Sequence, residues 1–192
     1  MGQAIAVQAN RVRAAGTSFV AGGAGWVLFL GFFAAFEATV SADRGVFTGF
    51  ELGFVAVHLL LFVRLIRLWR SGEAAGGLGT TGLGLAILGR IVFLAAEIQA
   101  IAMGHDETLL LPAAAMLTAV GMVLAGVAVT RGRRWTGWKG LTPLIVGLYP
   151  FVFMFPLVIV TTEPNYFSVA GWGLPWIALG VAMRDPAEGT LH

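Results

Sequence analysis

Two pairs of ionisable residues sit where lipid-compatible sequence should be. Arg90 and Glu97 stand seven residues apart in GRIVFLAAEIQAIAMGHD, and Glu51 and His58 stand seven apart in the preceding apolar run. A spacing of seven is close to two helical turns, so each pair occupies one helix face. A guanidinium, an imidazole and carboxylates inside an apolar segment can hold protons, bind a cation or contact a charged solute, and such groups face a bundle interior or a water-filled path. Glu37 adds a third carboxylate in the run before these two.

Composition says what must surround them. The chain has 192 residues, of which 58% are hydrophobic and 11% charged. Soluble domains carry about 25% charged residues, so water cannot be the main solvent of this surface. Six apolar runs follow in order, at about 18–40, 47–68, 79–102, 109–130, 141–161 and 166–183. Each is close to the roughly 20 residues needed to cross a hydrocarbon core. The expected fold class is all-α: a polytopic membrane protein with a six-transmembrane-helix bundle, one domain over 1–192 and no soluble domain. Residues Met1–Ala15 read as a short lead-in and not as a signal peptide. SGEAAGGLGTTG reads as a loose connection between the second and third spans, and Thr142–Pro143 as N-cap and first position of the fifth.

Arginine placement sets an orientation. With the N-terminus cytoplasmic, that side collects Arg11, Arg13, Arg64, Arg67, Arg70, Arg131, Arg133, Arg134, Lys139 and Arg184, and the other side only Arg44. Such asymmetry marks the cytoplasmic face, so both termini are expected there. The Ala/Gly/Arg-rich composition fits a bacterial cytoplasmic (inner) membrane. Trp135 and Trp138 then belong to the cytoplasmic aromatic belt and Tyr166 to the outer one. The loop residues Arg131, Arg133, Arg134 and Lys139 are topology determinants that also suit contact with anionic lipid or a protein partner.

A rise of about 1.5 Å per residue converts position into depth. Arg90 and His58 fall near the midplane, and Glu37, Glu51 and Glu97 lie roughly 10–12 Å toward the outer side. Crowding carboxylates in a low-dielectric layer favours a shared proton or a bound cation. Arg90 leans away from Glu97, because helical side chains tilt toward the helix N-terminus. Pro150, Pro156 and Pro175 are expected to kink helices 5 and 6 and release the carbonyls of Val146, Val152 and Gly171. Those carbonyls, with Tyr149, are the expected acceptors for Arg90, which would act as a structural intramembrane anchor. Small residues (Gly22, Gly25, Gly82, Gly89, Ala114 and Thr118) should allow close helix contacts. FAAFEA at 33–38 echoes FLAAEI at 93–98, each ending an outward-running helix with a glutamate.

Several chemistries lack their parts. The absence of cysteine removes thiolate and iron–sulfur sites. Only His58 lies at the depth a bis-histidine haem needs, and the one lysine, Lys139, sits in a loop, away from any retinal position. No zincin motif or phosphate-binding glycine loop occurs. His105, Asp106 and Glu107 read as turn residues before the fourth helix. No catalytic residue, metal, cofactor or nucleic-acid partner is expected. The ligand, cation or proton candidates are Glu97, Glu37, Glu51 and His58. The first function reading is a small-solute or cation carrier, or a substrate-binding membrane subunit, with a carboxylate-lined pocket opening outward between the first three helices. The second is a non-transporting accessory or regulatory subunit, and the third a membrane enzyme using Glu/His acid–base chemistry. The size and span count resemble those of the substrate-binding subunits of energy-coupling-factor vitamin transporters; the resemblance is one of architecture and assigns no residue.

Overall fold

The apolar runs fold as helices over almost their whole length in a computed structural model of the chain. The structure describes residues 2–74, 76–105, 108–133, 135, 137–161 and 165–184, with side chains from residue 16 onward. Six of its helical stretches are long and apolar enough to cross a membrane: Gly16–Ala42, Arg44–Ser71, Gly77–Met103, Leu110–Gly132, Gly137–Thr161 and Tyr166–Arg184. All-helical architecture with six candidate spans marks an integral membrane protein. The side chains of Arg11 and Arg13, and all of Asp106, Glu107, Arg134 and Glu163, lie outside the described residues.

The first span is the membrane part of α1 (Gly2–Ala42), whose helical geometry lapses at Phe36, with φ −129° and ψ 24°. One residue separates it from α2 (Arg44–Ser71). Asp43 makes that tight reversal possible, because its carboxylate accepts from the backbone N–H of Gly45 at 2.7 Å and Val46 at 2.9 Å. Two otherwise unpaired donors at the helix start are thereby satisfied.

The connection after α2 is shorter than its glycine content suggests. Gly72 caps the helix in the left-handed region and α3 (Gly77–Met103) begins five residues later, so GLGTTG is helical. Packing explains the correction. A Cβ at Gly79 would come within 2.6 Å of the Ala74 carbonyl carbon, so the bare glycine lets the turn tuck against the new helix. The indole of Trp135 also donates to Glu73 at 3.1 Å and ties this turn to the loop after the fourth span.

The third span and α4 (Leu110–Gly132) are the most closely packed neighbours. A Cβ on Gly82 would lie 2.5 Å from the Ala125 nitrogen and 2.6 Å from the Gly121 carbonyl oxygen. Gly89 sits in the same seam against Thr118 and Ala114, while Gly22 and Gly25 face Leu61 and Val57 across the first and second spans. The expected small-residue contacts are therefore present. A second seam joins the first and sixth spans, where Gly23 and Gly173 meet backbone to backbone.

The fifth span is composite. A 3-10 turn (Gly137–Leu141) leads into α5 (Thr142–Tyr149), a π-helical turn spans Pro150–Met154, and α6 (Phe155–Thr161) completes it. Thr142 does not act as the cap: its hydroxyl donates to the Lys139 carbonyl at 2.8 Å, because the preceding 3-10 turn already carries the chain into the helix. The sixth span is divided at Trp172 into α7 (Tyr166–Gly171) and α8 (Gly173–Arg184). Asn165 caps it by accepting from the Ser168 N–H at 2.9 Å.

The seam between the third and fourth spans gives a direct test. Gly121→Leu should destabilise the purified protein by about 1–3 kcal/mol, the usual range for overpacking. Gly84→Leu, at a position where a Cβ meets nothing within 4 Å, should leave stability unchanged or raised. Denaturant unfolding in detergent, followed by tryptophan fluorescence, reads both; equal effects would contradict the packing described.

Candidate functional site

At the heart of the bundle the imidazole of His58, on the second span, stands between the two charged residues of the third. His58 Nδ1 is 3.2 Å from Arg90 Nη1. His58 Nε2 is 3.2 Å from Glu97 Oε1. A guanidinium only donates, so Nδ1 must accept, and the remaining ring proton then lies on Nε2, facing the carboxylate. The chain of contacts is Arg90 N–H to His58 Nδ1, then His58 Nε2–H to Glu97. It implies a neutral imidazole joining a buried cation to a buried anion. Seven residues of helix put the α-carbons of Arg90 and Glu97 about 10 Å apart, too far for a direct pair. The imidazole fills that gap.

Burial makes the arrangement consequential. Arg90 and His58 are 0% exposed and Glu97 6%. A lone arginine at this depth costs about 2.5–3.5 kcal/mol on insertion scales. Two features offset it. The first is Glu97, acting through His58. The second is a box of rings around the guanidinium carbon: Trp26 at 5.5 Å, Phe93 at 5.2 Å, Trp172 at 5.4 Å and Trp176 at 4.6 Å from their centroids. Each desolvated cation–π contact contributes on the order of 1–2 kcal/mol, so several together match the insertion cost. Phe93 also stacks on His58 at 4.5 Å, and Trp26 meets the same imidazole edge-on at 5.1 Å.

Two of the three indole N–H groups of the box donate to backbone carbonyls, whereas the buried one of Trp176 has no partner among the described residues. Trp172 Nε1 donates to the Val146 carbonyl at 2.8 Å, and Trp26 Nε1 to that of Val169 at 2.7 Å. Proline at 150 removes the ordinary partner of the Val146 carbonyl. That carbonyl therefore has a donor as expected, but the donor is Trp172 and not Arg90. Tyr149 does not reach the arginine in a hydrogen bond either: its hydroxyl donates to the Ser168 carbonyl at 3.0 Å, linking the fifth and sixth spans. Arg90 meets the sixth span through aromatic faces in place of carbonyl oxygens. Trp172 and Trp176, four apart on one helix face, and Trp26, deep in the first span, were the signal for this; tryptophans normally gather at the interfaces.

The three carboxylates are divided. Glu51 (4% exposed) and Glu97 lie inside the bundle, whereas Glu37 is on an exposed face beside the lapse at Phe36. The echo between 33–38 and 93–98 thus ends with its two glutamates in opposite surroundings. Glu51 shares the face of α2 that carries His58, two turns nearer the Arg44 end. Pro150 and Pro175 are buried, and Pro156 is exposed. At the other end of the bundle Arg131 and Arg133 are exposed and Lys139 is half-buried, while His105, in the loop after the third span, is exposed. Tyr166 packs its ring on Phe33 at 4.8 Å.

Comparison with protein-family models, with curated proteins and with solved structures finds no match to this chain.

Removing one member of a buried charge pair is costly, about 3–5 kcal/mol, because the other charge remains unmatched. Arg90→Met and Glu97→Gln should each destabilise the protein by that order. The double substitution should cost less than the sum, with a coupling of at least about 1 kcal/mol. A double-mutant cycle of unfolding free energies in detergent measures this, and strict additivity would show that His58 does not couple the two charges.

Proposed function

We propose that this protein is a small-solute or cation carrier, or a substrate-binding membrane subunit, that handles a proton or cation at Glu97. The observation that carries this reading is the buried Arg90–His58–Glu97 chain. As long as Glu97 is charged and empty, it balances Arg90 through a neutral imidazole. A proton or cation arriving at Glu97 cancels that balance and leaves a positive charge in the hydrocarbon layer. The bundle then favours a different arrangement around Arg90, which is the differential affinity that coupling between ligand and conformation requires.

In the orientation set by the arginines, with both termini in the cytoplasm of a bacterial cell and the chain forming one transmembrane domain, Glu51 and Glu97 lie in the outer half. Glu51 lines the route from the outer surface to Glu97. Proline kinks in the fifth and sixth spans supply the movement. The π-helical turn at Pro150–Met154 and the division at Trp172 support that assignment, since irregular turns of this kind concentrate at functional positions. Glu37, being exposed, takes no part. A second reading, a non-transporting accessory subunit, draws on the same ring box: four aromatic contacts around Arg90 also suit a permanent lock.

Flux separates the two. In proteoliposomes with an imposed proton gradient, the unaltered protein should move at least one member of a panel of small cations and polar solutes and be thermally stabilised by it. Glu97→Gln should lower that flux at least about ten-fold, in line with the loss of a hydrogen bond to a charged group, and Glu37→Gln should leave it unchanged. Should Glu97→Gln, folded and inserted, match the unaltered protein in both flux and stabilisation, the carrier reading fails and the lock reading stands.

A further inference from the structure

Away from the buried chain, a cleft opens on the flank of the second and third spans, lined by Ile66, Trp69, Arg70 and Ile87. Its composition changes along its length. Arg70 and Trp69 stand in the last turn of α2, both exposed, with Trp69 at 44%. Ile66 lies one turn deeper, and Ile87 lies only three residues before the buried Arg90. A rise of about 1.5 Å per residue puts Ile87 within roughly 5 Å of the level of Arg90 along the helix axis. The cleft therefore runs from a basic, aromatic mouth at the helix end to an aliphatic floor near mid-depth.

Charge at the mouth is uncommitted. Arg67, one turn before Arg70, is exposed as well, and among the described residues neither arginine pairs with a carboxylate. Two of the helix's terminal carbonyls are already engaged: Leu68 accepts from the Ser71 hydroxyl at 2.7 Å and Trp69 from the Gly72 N–H at 3.2 Å. The arginine heads are the dominant charge presented there. An amphipathic indole beside them belongs at the level of lipid headgroups.

We propose that this cleft is a binding site for one anionic glycerophospholipid. The phosphate is held by Arg70 with Arg67 near it, the glycerol and ester region lies against Trp69, and one acyl chain runs along Ile66 to Ile87. A zwitterionic lipid offers the same chain but a headgroup whose own ammonium competes for the phosphate, so the mouth selects for net negative charge. The site is independent of Glu97 and of the carrier reading.

Native mass spectrometry of the full chain, released from micelles holding equal amounts of phosphatidylglycerol and phosphatidylcholine, tests it. The unaltered protein should retain one phosphatidylglycerol in preference to phosphatidylcholine. Arg70→Gln should lower that retention about five-fold, the factor for about 1 kcal/mol per basic residue at a charged membrane surface. Ile87→Trp, which fills the floor, should lower retention of both lipids, and Arg44→Gln, at the opposite end of α2, should change nothing. Equal retention of the two lipids by the unaltered protein would overturn the proposal. So would an Arg70→Gln or Ile87→Trp variant that is monodisperse and keeps phosphatidylglycerol like the unaltered chain, or an Arg44→Gln variant that loses it to the same extent as Arg70→Gln.

Discussion

A guanidinium with no exposure has to be matched inside the bundle, and the arrangement of this protein follows from how Arg90 is matched. Its charge is balanced by a carboxylate it cannot touch, through an imidazole supplied by another helix. The rest of its surface is covered by rings from the first, third and sixth spans. Loss of register between the second and third spans would break the bridge. Withdrawal of the sixth would strip away two of the rings. One residue thereby makes the positions of several helices depend on each other.

The glycine seams and the indole hydrogen bonds make that dependence sharp. Gly89, immediately before Arg90, lets the third span lie directly on Thr118 and Ala114 of the fourth, which fixes the azimuth of the arginine. On the far side of the box, Gly23 and Gly173 bring the first and sixth spans into backbone contact, and Trp26 reinforces the join by donating to Val169. Irregular backbone occurs in the π-helical turn of the fifth span and at the division of the sixth at Trp172, next to that seam. Unpaired backbone groups are tolerated at membrane depth only where other groups serve them. Trp172 does so for Val146, and the same ring faces Arg90, so a disturbance at the arginine reaches the irregular helices through one side chain.

Much of this was legible in the residues. Run length and arginine spacing placed six spans to within a few residues, and helical rise put Arg90 and His58 at one depth. The spacing of seven put Glu97 on Arg90's face and Glu51 on that of His58. Two things were not legible. Whether the second span turns its histidine toward the third is a matter of helix rotation, which no single-helix pattern fixes; hence the bridge went unseen although all three members were singled out. Hydrogen-bonding need alone directs a guanidinium to the proline-released carbonyls, and it says nothing of aromatic faces that can cover the same charge. Trp172 took that carbonyl, and its face took the arginine. Glu37 shows a further limit: depth along a helix groups it with Glu51 and Glu97, but depth says nothing about which side of α1 it faces, and that side is exposed.

The protonation pattern of His58 is the most direct gauge of the bridge between Arg90 and Glu97. Solid-state NMR of the imidazole nitrogens in lipid bilayers, with His105 and His192 replaced by glutamine to leave one histidine signal, distinguishes the three possible forms. The expected result is a neutral ring at neutral pH with an unprotonated, hydrogen-bond-accepting Nδ1 facing Arg90 and the proton on Nε2 facing Glu97. A proton on Nδ1, in either the neutral or the doubly protonated ring, would contradict it.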